Sequence, residues 1–122
     1  MQIEVKGRNL QVTDEMREHV ARRFDKIGKQ VSELAVLDLE VADEHVPGEP
    51  VRAEAVLHLK GVQLRAKEVS KDAKHAVNLV AENMERQVKR NREKRRGRRE
   101  SRAAADVSRN TPATFEEAPN SL

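Results

Sequence analysis

SKDAKHAVNLVAENMERQVKRNREKRRGRR, residues 70–99, is the stretch on which the reading of this chain turns. Ala73, Ala76, Val77, Val80, Ala81, Met84 and Val88 recur every three or four positions, which places them on one stripe of a helix. Ser70 is a suitable N-cap, with Lys71 and Asp72 in the first turn. After Val88 the apolar stripe stops and Lys89, Arg90, Arg92, Lys94, Arg95, Arg96, Arg98, Arg99 and Arg102 take over. Residues 86–102 hold ten basic side chains against Glu93 and Glu100, a formal +8 in seventeen positions. Unpaired charges do not leave water cheaply, so this segment cannot lie in a core. One half of the helix is therefore anchored and the other half presents a positive surface. Gly97 marks where the helix is expected to fray.

Working outward, the preceding segments alternate. Val62, Leu64 and Ala66 share one face of a short strand, with Gln63, Arg65 and Lys67 on the other. Gly61 supplies a tight turn. From Val51 to Lys60 the pattern puts Val51, Ala53, Ala55, Leu57 and Leu59 on one face and Arg52, Glu54, Val56 and His58 on the other. The segment Val46-Pro47-Gly48-Glu49-Pro50 is a loop. Val36 to His45 forms another strand, with Leu37, Leu39 and Val41 inward and Asp38, Glu40 and Asp43 outward. At the start, Gln2 to Lys6 alternates around Ile3 and Val5, and Gly7, Arg8 and Asn9 turn the chain so that Leu10 and Val12 pack beneath. Thr13 or Asp14 then caps a helix whose stripe is Met16, Val20, Phe24, Ile27 and Val31. The order is β-α-β-β-β-α. Each element has one apolar side, and the simplest packing is an α+β two-layer sandwich. A four-stranded mixed sheet carries both helices on one face and keeps the other face wet. The first two strands are joined through a helix, which allows a parallel, right-handed crossover between them; the later strands form antiparallel hairpins.

The 122 residues suffice for one domain with a modest core. Residues 1–102 are assigned to it, and residues 103–122, interrupted by Asn110, Pro112 and Pro119, are read as a disordered tail or linker. Charge is unevenly placed. Residues 1–70 carry 11 basic and 13 acidic side chains, residues 71–122 carry 13 basic and 8 acidic ones. A concentrated basic end suggests an acidic partner, nucleic acid before membrane; the plain alternative is a solubilising helix. Cysteine is absent, which removes disulfides and thiolate metal sites and fits a reducing, cytoplasmic compartment. No signal peptide or membrane-spanning run is present in these residues. With Phe24 and Phe115 the only aromatics, recognition by rows of stacked bases is disfavoured.

His19, His45, His58 and His75 do not fall at zinc-ligand spacings and are read as surface or boundary residues; no metal or cofactor is expected. Asp43-Glu44 and Glu15-Glu18 lack a companion nucleophile or an enclosed apolar setting, and no phosphate-cradling glycine loop occurs, so no enzyme is expected. The basic constellation is stronger. Arg86, Lys89, Arg90 and Lys94 are spaced by three or four and form a ridge, continued by Arg92, Arg95 and Arg96. Arg22, Arg23 and Lys26 lie on the first helix, and neighbouring helices would merge the two groups into one patch. Such a patch contacts phosphates and favours structured RNA recognised by shape. No helix-turn-helix or finger spacing supports a DNA reader.

Three stretches carry a resemblance: MQIEVKGRNLQVTDEMREHVARRFDKI at the start, VRAEAVLHLKGVQLRAKE in the hairpin, and DAKHAVNLVAENMERQVKRNREK in the last helix. Over roughly residues 1–95 they resemble the ribosome hibernation-promoting factor family, also called the ribosome-associated inhibitor or sigma-54 modulation family. The resemblance implies a fold akin to the double-stranded RNA-binding domain. It also implies a translation inhibitor that acts in stress or slow growth. The partner would be the small ribosomal subunit, with 16S-type rRNA of the decoding region bound across the mRNA and tRNA path. Arg86, Lys89, Arg90 and Lys94 match the basic end of the family's second helix, and Arg22, Arg23 and Lys26 match basic positions of its first. The chain departs from the pattern at Ala73-Lys74, where an aromatic usually stands after Asp72, and at Asn83, where lysine is common. Residues 103–122 are too few for the dimerisation domain of long members, so a short form or a long form cut in its linker is expected. The alternative reading is a non-enzymatic protein-interaction module or a general binder of structured RNA.

Overall fold

A computed structural model describes the backbone of residues 1–110 and the side chains of residues 1–97. The elements are β1 (Gln2–Arg8), α1 (Asp14–Arg23), α2 (Asp25–Gly28), β2 (Val36–Asp43), β3 (Val51–Leu59), β4 (Val62–Ser70) and α3 (Ala73–Asn110). The chain divides into two compact units, Met1–Lys89 and Arg90–Leu122.

The sheet of the first unit has the order β1-β2-β3-β4. β1 runs parallel to β2, with Val5 beside Leu39, and the other two pairings are antiparallel. This register aligns Leu37 with Leu57 and Leu57 with Leu64, so the inward rows of all strands coincide. The helices cover that face. Val20, Phe24, Ile27, Leu37, Val41, Leu57, Val77, Val80, Met84 and Val88 are fully buried, the apolar stripes expected from the sequence. Each large side chain removed from water contributes about 1.5–3 kcal/mol, so the shared core, not helix propensity, holds the layers together.

Several boundaries differ from the expectation, each for a local reason. β4 continues through Ser70, which pairs with Val51 and is buried; it therefore does not cap the last helix. Asp72 does so instead, its Oδ1 accepting the His75 N–H at 2.8 Å while its carbonyl accepts from Ala76 at 3.1 Å. Thr13 caps α1 through Oγ1, which accepts from Met16 at 3.1 Å. The first helix does not run to Val31. It breaks at Phe24 (φ −95°, ψ 2°), and α2 ends at Gly28. Bonds from Phe24 N–H to Val20 and from Gly28 N–H to Phe24 bridge the break, so Phe24 and Ile27 both still reach the core. β1 extends to Arg8 and turns at Asn9 (φ 56°). Gly7 permits that turn, because a Cβ there would lie 2.1 Å from the Leu10 carbonyl oxygen. β2 stops at Asp43, whose carboxylate accepts the His45 N–H at 2.9 Å, with His45 at φ 55°. β3 stops at Leu59.

α3 passes through Gly97 without a break and reaches Asn110. It therefore overlaps the segment expected to be a tail from residue 103. The rest of that expected tail, residues 111–122, lies outside the described residues. No helix among the described residues is long and apolar enough to cross a membrane.

Candidate nucleic-acid interface

Three side-chain contacts fix α1 beside α3 in the 1–89 unit. Glu15 meets Lys74 at 3.6 Å, His19 Nε2 meets Asn78 Oδ1 at 2.9 Å, and Arg23 Nη1 donates to Glu85 Oε2 at 2.7 Å. Residue numbers rise together along both helices, so the helices run parallel. The end of α1 lies against the turn of α3 that carries Glu85. Arg22 sits at this end of α1, and Lys26 lies beyond the break, on α2 and not on the first helix as expected; Arg86 and Lys89 follow Glu85 on α3.

Arg22 and Lys26 are exposed, and so are Arg86 and Lys89. None of the four forms an ion pair among the described residues. Arg23 differs. It is half-buried, and its guanidinium is held by Glu85, with the two side chains 28% and 24% exposed. It joins the helices and offers less free charge than its neighbours. Nothing local in the sequence marks this partnership, which spans 62 positions. On the other flank of α3, Asn83 donates to the Glu68 carboxylate at 3.0 Å and Gln87 donates to the Arg65 carbonyl at 2.7 Å. Asn83 is thus a neutral link to β4.

In the second unit, Arg90, Arg92, Lys94, Arg95 and Arg96 are all exposed, with Glu93 the acid among them. Cationic side chains that stay in water release counterions when they meet phosphate and need shed no protein partner first.

The open face of the sheet is built differently. Arg52 is 6% exposed, a correction to the expectation that this face is uniformly wet. Its Nη2 donates to Glu40 at 2.8 Å, its Nε to Glu44 at 3.0 Å and its Nη1 to Glu54 at 3.0 Å. Hydrogen bonds to Glu40 and Glu44 hold the guanidinium above its ordinary pKa, so it stays charged at any accessible pH. Arg65 reaches Glu54 at 3.4 Å, and His58 donates to Asp38 at 2.9 Å. Beside them a shallow depression is lined by Glu4, Lys6, Asp38, Glu40 and Val56. Of the other histidines, His19 bonds Asn78, His75 bonds Ser70 and His45 is exposed; no metal-binding cluster occurs among the described residues.

Comparison with known proteins places this architecture. Residues 3–96 match the family described as Sigma 54 modulation protein / S30EA ribosomal protein. A ribosome hibernation promoting factor of Azotobacter vinelandii is 26% identical over 106 residues, covering 87% of this chain and 96% of that protein. The ribosome hibernation promotion factor of Lactococcus lactis is 30% identical over 89 residues, which are 70% of this chain and 46% of that longer protein. The N-terminal domain of Thermus thermophilus Protein Y superposes with a TM-score of 0.65 at 27% identity, over 74% of this chain and 98% of that domain. A ribosomal subunit interface protein from Coxiella burnetii shares the fold, with a TM-score of 0.64 at 17% identity over 75% of this chain and 98% of that one. The family match begins within β1 and runs through the whole sheet into the basic part of α3, and on that extent the chain belongs to the sigma-54 modulation/S30EA ribosomal protein family.

Proposed function

We propose that this chain is a ribosome-binding translation inhibitor and hibernation factor. It occupies the mRNA and tRNA path of the small subunit through contacts with 16S-type rRNA at the decoding region, and it catalyses no reaction. The observation that carries this reading is the set of free bases on the helix side. Arg22, Lys26, Arg86 and Lys89 are exposed and without carboxylate partners among the described residues, in a chain whose relatives are named for ribosome hibernation. Arg90, Arg92, Lys94, Arg95 and Arg96 extend the basic sequence, and Arg23 supports the site by joining α1 to α3. Phosphate contacts of this kind position a protein on folded RNA without reading its sequence.

Cosedimentation with purified small subunits tests the proposal. Binding is expected in low-salt buffer, with log affinity falling linearly against log salt as counterions are released. A chain that stays in the supernatant while the subunits pellet, yet retains a protein partner, would be an interaction module instead. Binding of any folded RNA with equal strength would reduce the proposal to a general RNA binder.

A further inference from the structure

The two edges of the sheet are finished differently. At the β4 edge, the outward carbonyl of Arg65 accepts from Gln87, and Asn83 reaches Glu68, so α3 lays polar side chains along that margin. No side chain does this for β1 among the described residues. The Gln2 N–H bonds the Ala35 carbonyl at 2.9 Å, which fixes the alternation of this parallel strand. Gln2, Glu4, Lys6 and Arg8 turn their backbone groups towards β2, while Ile3, Val5 and Gly7 turn theirs outward. The apolar layer is also incompletely closed on this side. Met1, Ile3, Val5, Leu10 and Met16 pack on the core yet remain only half-buried.

We propose that β1 is a self-association edge, which pairs antiparallel with β1 of a second copy of this chain about a twofold axis through Val5. In that register Val5 opposes Val5, and Ile3 opposes Gly7, so every outward N–H and C=O meets a partner. Glu4 then lies opposite Lys6 of the second copy on the open face, twice by symmetry, in the close non-hydrogen-bonded pairing. The charges select this register. Moving the axis to residue 4 sets Glu4 against Glu4 and pairs Ile3 with Val5; moving it to residue 6 sets Lys6 against Lys6, between two Glu4–Arg8 pairs, and pairs Val5 with Gly7. Only the axis at Val5 pairs the outward groups of Ile3, Val5 and Gly7 together with no like charges opposed. A lysine on a strand edge ordinarily discourages pairing; here the alternation with Glu4 turns it into a selector. The product is an eight-stranded sheet. Closer approach of the two copies covers the half-buried seam.

Sedimentation velocity from low micromolar to near-millimolar protein, with residue-resolved amide exchange, tests this. The parent is expected to pass from monomer to dimer, with the amides of Ile3, Val5 and Gly7 gaining protection in step. Glu4→Lys or Lys6→Glu alone sets like charges opposite each other twice and is expected to weaken the dimer by roughly tenfold. Glu4→Lys combined with Lys6→Glu restores opposite charges and the dimer. Four results would each overturn the proposal: a parent that stays monomeric throughout, single variants that dimerise like the parent, a double variant that stays as weak as the singles, or a dimer in which those three amides gain no protection. Should a single variant lose its native circular dichroism, the concentration-dependent protection of the parent's amides still decides.

Discussion

On the helix side of the 1–89 unit, Arg22, Lys26, Arg86 and Lys89 stand in water with no carboxylate partner among the described residues. On the open side of the sheet, Arg52 is enclosed by Glu40, Glu44 and Glu54, and Arg65 leans on Glu54. The residue types are the same, and what separates the surfaces is the company each base keeps. An exposed, unpaired base meets a phosphate at little cost. A clasped base must first leave its carboxylates, and those carboxylates repel the phosphate. Counting arginines and lysines on a face therefore says little about binding until their partners are known.

The contrast can be broken most directly by reversing charge on each side. Lys89→Glu with Arg90→Glu should lower small-subunit affinity by on the order of 100-fold, as expected for two lost charge-assisted contacts, while the circular dichroism stays native. Lys89→Ala with Arg90→Ala should do the same more mildly, since alanine removes attraction without adding repulsion. Arg65→Glu with Lys67→Glu should change affinity by no more than about threefold, the scale of exposed charges near compensating ones. Affinities measured at fixed ionic strength decide; a sheet pair that fails while the helix pair binds would exchange the roles of the two faces.

Arg52→Met probes the other half of the contrast. It leaves three carboxylates together without their cation, and should cost about 2 kcal/mol in urea unfolding with little change in subunit affinity. The raised pKa of Arg52 fixes the sign in the parent: its contribution is fully present below the ordinary arginine value and is lost only as pH rises through the still higher folded value. Between pH 6 and 10 that contribution should stay flat, a point checked by unfolding at several pH values. A subunit affinity that collapses with Arg52→Met would show that the clasped arginine belongs to the binding surface.

The smallest expected effect sharpens the boundary between the two classes of base. Glu85→Gln releases Arg23 from its ion pair and should raise affinity about two- to threefold, with a slightly steeper salt dependence. Unchanged affinity and slope would mean that Arg23 serves only to join the helices.

The layers of this fold were readable in the sequence because burial imposes a period: two in the strands around Leu37-Leu39-Val41, three to four in the stripe from Ala73 to Val88. Boundaries set by pairing were not. Ser70 looks like a helix cap until its strand partner Val51 is known, and the break at Phe24 leaves the apolar spacing intact. The exposed bases of the candidate site were legible as a charge run with helical spacing. The assignments of Arg23 and Arg52 were not, because Glu85, Glu40 and Glu44 are brought to them by the tertiary fold or across a turn, and no local pattern announces such partners. Strand alternation puts Arg52 on a wet face that also carries Glu40 and Glu54; the register of β2 with β3, and Glu44 returning across the turn, are what enclose it.

The parallel pairing of β1 with β2 also constrains how the molecule comes into being. β1 is synthesised before the rest of its sheet, and its partner begins 34 residues later, at Val36. The core closes only when Met84 and Val88 have followed. At ordinary elongation rates the interval between β1 and Val88 is roughly 4–16 s. Until Val36–Asp43 has followed, Ile3 and Val5 have no strand to join, and until α3 follows their apolar face has no helix to cover it; over that time Glu4, Lys6 and Arg8 are the charges that keep the segment soluble.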